Sequence, residues 1–164
     1  MKGARIVLIG VGNAYREDDG AGLAVIERLR GVVPEGIEIV PCEDEPSRLI
    51  DAWHGASAAV VVDAVSSGAA PGTLHRFDAS EAAVPSRVFR SSTHAFGVGE
   101  AIELARALGK LPPRIVVYGI EGAAFGGGVS LSPPVEAAVR PATDAVLADL
   151  TLLTNEEAPC TSTR

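Results

Sequence analysis

Aromatic side chains are scarce in this chain: they make up 4% of 164 residues, while apolar residues as a whole reach 47%. A core with so few rings has to be filled by Val, Ile, Leu and Ala, which suits strands buried on both faces of a parallel sheet. Cysteine is nearly absent, and Cys42 and Cys160 lie too far apart in the chain to read as a disulfide framework. Basic residues are outnumbered, 14 against 21 acids, for a formal net charge of −7. Without a basic cluster there is no electrostatic footprint for nucleic acid or an anionic membrane, and a basic or metal-bearing partner fits better. No apolar run approaches the roughly 20 residues that span a bilayer, and the run after Arg5 is too short for a signal peptide. The cytoplasm is then the default expectation for its location, and the length and composition predict one domain over residues 1–153 followed by a disordered tail over residues 154–164.

What is present alternates between strand and helix. The run from Ile6 to Ile9 reads as a first strand, followed by a helix carrying Leu23, Ile26 and Leu29 and stopped by Gly31 and Pro34. Ile37 to Val40 alternates and ends at Pro41, and residues 46–53 suit a short helix. Ala58 to Val62 is the most strand-like run and breaks off at Asp63, which makes it the expected central strand. Thr73 to Phe77 reads as an edge strand. A helix follows His94, with Val98, Ile102, Ala105 and Leu108 on its apolar stripe and Leu104 widening it. Ile115 to Ile120 is the last strand, and Pro133-Pro134 opens a long final helix in which Pro141 is a bend point. This order predicts a doubly wound α/β layer with right-handed crossovers.

The most informative stretch runs from Gly10 to Gly22, where the first strand empties into a glycine-rich turn holding Glu17, Asp18 and Asp19. Gly10 and Gly12 invite a dinucleotide reading, but Tyr15 stands where the third glycine belongs, and three carboxylates repel a pyrophosphate. P-loop, G-x-S-x-G and H-E-x-x-H motifs are missing as well. Asp63 closes an apolar run at the carboxyl edge of the sheet, where a buried charge needs a partner or ligand. His94 precedes a helix near the same edge. Together Asp19, Asp63 and His94 offer two carboxylates and an imidazole from three crossovers, a set that suits a borderline divalent ion. Each also has a plainer role: Asp18 or Asp19 as a helix cap, Asp63 as a turn brace, His94 as a loop histidine. His54, at a helix end, and His75, inside an alternating strand, make weaker candidates.

The strings Gly10-Val11-Gly12-Asn13, Asp18-Asp19-Gly20-x-Gly22, Val61-Val62-Asp63-Ala64 and Ser92-Thr93-His94, in that order, resemble the hydrogenase maturation proteases. The resemblance spans about residues 4 to 150. It implies a three-layer α/β sandwich with a mostly parallel, twisted five-stranded sheet flanked by helices on both faces. It also implies an endopeptidase that removes the C-terminal extension of a [NiFe] hydrogenase large-subunit precursor after nickel insertion. Carried over, the metal-contacting residues fall on Asp19, Asp63 and His94, with Asp19 at a position that is Glu in some members. Asp19 and Asp63 are then also the candidate catalytic carboxylates. The nickel is carried by the precursor, and other divalent ions can take the same ligands in vitro. Gly122 departs from the pattern, since many members have proline there. The readings kept beside this one are a metal-binding assembly factor that does not cut and a nucleotide-binding module.

Overall fold

The computed structural model describes residues 4–43, 48–85, 88–89 and 97–158. Five strands form one sheet: β1 (Ile6–Gly12), β2 (Ile37–Glu43), β3 (Ala58–Val65), β4 (Leu74–Asp78) and β5 (Arg114–Glu121). Their order is β2-β1-β3-β5-β4, parallel throughout except that β4 runs antiparallel to β5. The helices are α1 (Ala21–Leu29), α2 (Leu49–Trp53), α3 (Val98–Ala107) and α4 (Pro133–Glu157), and a 3-10 turn, Glu17–Gly20, leads into α1.

Alternation along the central strands sorts their side chains into two cores. Leu8, Val60, Val62 and Val116 pack with Val25 and Ile26 of α1 and with Val139 and Val146 of α4. Val7, Ile9, Val61 and Val117 pack with Leu49 and Trp53 of α2 and with Val98 and Ile102 of α3. The three-layer sandwich expected from the sequence is therefore present, with helices on both faces.

Several boundaries differ from the sequence reading, for identifiable reasons. β1 runs on to Gly12 and β3 to Val65, because parallel pairing continues past the end of each apolar run. Pro41 does not end β2, which reaches Glu43 as an edge strand, where a missing N–H on the outer side is tolerated. Leu104 is 42% exposed and widens no buried stripe. The final helix passes Leu153, which is buried, and continues to Glu157, so residues 154–157 are helical where a disordered tail was expected. Residues 159–164, with Cys160, lie outside the described residues.

Strand order reverses direction between β1 and β3, since the chain moves outward from β1 to β2 and then returns to the other side. In an open α/β sheet the carboxyl ends beside such a reversal frame a crevice.

Candidate active site

Both arms of the crevice are shaped by close backbone approach. Gly12 has φ +143°, and a Cβ on it would collide with the carbonyl oxygen of Asp19. Gly22 plays the matching part on α1: a Cβ there would come within 2.7 Å of the Val11 oxygen and closer still to that of Val62. The glycines of the first motif thus press the 3-10 turn and the first turn of α1 onto the ends of β1 and β3. Asp18 and Asp19 then occupy the region before α1 where a dinucleotide fold would seat its phosphates.

Asp19 is 5% exposed, and the Asn13 amide donates to its Oδ2 at 3.1 Å. Asp63 is partly buried within β3, on the α2 and α3 face between Val61 and Val65. Burial pushes the Asp63 carboxyl well above its usual range, the charge of Asp19 pushes the same way, and a hydrogen bond from the Ala64 backbone opposes both. The two carboxylates singled out in the sequence therefore come from different elements and feel each other across the crevice. Two like charges so placed favour a shared proton or a cation.

His94, with Ser92 and Thr93, lies outside the described residues. On either side of that segment, the carbonyl oxygen of Phe89 lies 3.1 Å from where a Cβ of Gly97 would sit, and Gly97 caps α3 over the face that carries Asp63. Among the described residues, no three His, Cys, Asp or Glu side chains gather as a metal-holding group. Asp19 and Asp63 can supply two oxygen ligands to a divalent ion, and the remaining ligands have to come from elsewhere.

Asp18 has a different part. It is fully buried, and its carboxylate accepts the amides of Ala123 at 2.7 Å, Ala124 at 2.9 Å and Ser132 at 2.7 Å, with the Ser132 hydroxyl at 2.7 Å. Burial opposes its charge, but those hydrogen bonds together outweigh burial and hold its carboxyl below the usual range. Both oxygens are committed, so Asp18 latches the loop of residues 122–132 against the 3-10 turn and is not available as a base. Gly122 donates its N–H to the Val65 oxygen at 2.9 Å, a bond that a proline there cannot make.

Sequence reasoning passed over Glu121. It is 2% exposed at the end of β5 and accepts the Ser67 amide and hydroxyl, both at 2.7 Å, and the Gly68 amide at 3.1 Å, with His75 Nε2 at 3.2 Å. The rule that singled out Asp63, an acid closing an apolar run, applies equally to Glu121. Because the His75 imidazole meets the carboxylate and not the Ser67 hydroxyl, the cluster does not form a serine-histidine-acid relay. It fastens the connection between β3 and β4. His54 sits at the end of α2, where its carbonyl accepts a bond from Arg5 at 2.8 Å.

A sequence profile of hydrogenase maturation proteases matches residues 24–149, beginning just after the acidic turn. The hydrogenase 2 maturation protease of Escherichia coli is 29% identical over 150 residues, covering 89% of this chain and 90% of that protein. The hydrogenase expression/formation protein HupD of Thiocapsa roseopersicina is 29% identical over 147 residues, and the match takes in 87% of this chain and 66% of that protein's length. Among solved structures, the hydrogenase maturating endopeptidase HybD from E. coli superposes with a TM-score of 0.77 at 27% identity, covering 90% of this chain and 92% of that one. The profile covers well over half the chain and the sandwich is shared with a solved endopeptidase, so this chain belongs to the hydrogenase maturation protease family.

Proposed function

We propose that this endopeptidase removes the C-terminal extension of a [NiFe] hydrogenase large-subunit precursor, and that it does so only once nickel is in place. The observation that carries this reading is the meeting of Asp19 and Asp63 at the β1/β3 crevice. Two carboxylates whose charges oppose each other gain from a cation presented by the partner, and an incomplete ligand set binds strongly only to a metal that already has others. His94 is proposed as the third ligand. The nickel is then part of the substrate, and its presence is what the enzyme reads.

For the hydrolysis itself, water adds to the scissile carbonyl carbon, the C–N bond breaks, and the water's proton passes to the leaving amine. Asp19 or Asp63 is the proposed carrier of that proton, since Asp18 is held by four donors. No described helix is long and apolar enough to cross a membrane. A cytoplasmic site of action, on a precursor not yet exported, is part of the proposal.

Purified protein mixed with nickel-loaded and nickel-free precursor tests it by intact mass. Shortening of the loaded form alone is expected. Equal processing of both forms refutes the nickel check, and a nickel-dependent complex of unchanged mass selects the non-cutting assembly factor instead.

A further inference from the structure

On the other side of the 3-10 turn from the crevice lies an open groove of about 500 Å³ that the reaction does not use. Its floor is apolar, with Leu23 and Ala24 of α1 facing Leu131, while Glu17, Glu27 and Glu136 stand around it. Among the described residues, no lysine or arginine lines it. Glu27 is engaged by Arg30 at 2.8 Å, whereas Glu17 and Glu136 have no cationic partner among the described residues. The rim is apolar too: Val129 is 74% exposed and Tyr15 75%, and the two are neighbours because the Gly128 amide bonds the Tyr15 oxygen at 2.9 Å. Isolated exposed apolar side chains are ordinary, but a pair beside an apolar groove is the pattern of a contact surface.

We propose that this groove docks the protein substrate by a segment carrying basic side chains between apolar ones. The apolar residues would fill the floor and cover Tyr15 and Val129, and the basic heads would meet Glu17 and Glu136. Charge complementarity selects this occupant over an acidic or purely apolar segment. Continuity with the crevice supports it: Glu17 and Gly20 bound the groove while Asp19, between them in sequence, bounds the crevice. One short turn thereby holds the substrate on one side and faces the cut on the other. The inference rests on the reading of the chain as a protease acting on a protein.

Two measurements on the full chain separate the docking proposal from that reading. The first follows backbone amide signals by NMR while a short peptide alternating leucine and arginine is added, with a leucine–glutamate peptide as control. The basic peptide is expected to move the signals of Ala24, Leu131 and Glu136, and the acidic one to leave them in place. Binding to the Glu17→Gln, Glu136→Gln double variant, in which the side-chain oxygen at position 17 can still accept the Gly126 amide, should weaken about fivefold, the scale of two partly exposed charge contacts. No movement, movement elsewhere, or equal binding by the double variant overturns the groove. The second is precursor cleavage, where the double variant should raise KM about fivefold and leave kcat unchanged. Cleavage with unchanged KM overturns docking and leaves the protease reading standing. Peptide binding at the groove without any precursor cleavage supports docking and overturns the protease reading.

Discussion

Asp63 keeps its proton further up the pH scale than an ordinary carboxyl, because burial and the nearby Asp19 both oppose its charge. A folded-state pKa raised above the unfolded value of 3.8 means that the native protein binds this proton more tightly. The resulting stability is complete below the unfolded value and is lost as pH rises toward the folded one. Asp63→Asn cannot ionise and escapes that loss. Its melting temperature relative to the parent should therefore climb as pH is raised from about 4 to about 7, while precursor cleavage falls at least a hundredfold. A melting difference that stays flat across this range contradicts the electrostatic account. Asp63 was legible in the sequence because an acid ending an apolar run is costly anywhere in a sheet. Asp18 was not, since its four donors come from residues more than a hundred positions away.

At the level of elements, the seat of α1 depends on the absence of a single methyl group. A Cβ on Gly22 meets the backbone of both β1 and β3, and backbone cannot move aside as a side-chain tip can. Gly31, just past the end of α1, has φ +79° with open space around it, so alanine there meets only conformational strain. Urea unfolding should separate the two: Gly22→Ala is expected to cost about 3 kcal/mol and Gly31→Ala about 1 kcal/mol. Similar losses would mean that α1 can shift off the sheet without penalty. The sequence reading found the elements around these glycines and assigned Gly31 correctly as a stop. It took Gly12 and Gly22 as parts of a ligand-binding turn without seeing that they are packing contacts, because the clashing atoms belong to carbonyls that no local pattern reveals. Strand ends were also misplaced, since pairing with a neighbour and not hydrophobicity decides where β1 and β3 stop.

The molecule as a whole keeps its two cores on opposite faces of one sheet, and Trp53, the one tryptophan of the sequence, is fully buried in the α2 and α3 core. Its fluorescence reports that face alone, whereas far-ultraviolet circular dichroism reports helices on both. In urea the two signals should share one midpoint, as expected for a sheet that belongs equally to both layers. An earlier fluorescence midpoint would show that the α2 and α3 layer melts independently. The alternation of strands and helices made this architecture readable, but it held no information on how the loops after β1 and β5 are fastened to each other. That fastening has a consequence for biosynthesis. The partners of Asp18 are 105, 106 and 114 residues downstream, so a ribosome must deliver all of that intervening chain before the acidic turn can be locked. A nascent protease therefore cannot lock its acidic turn early: the latch on Asp18 closes only once the residues that lead into α4 have emerged, which places the finished crevice after the synthesis of all five strands.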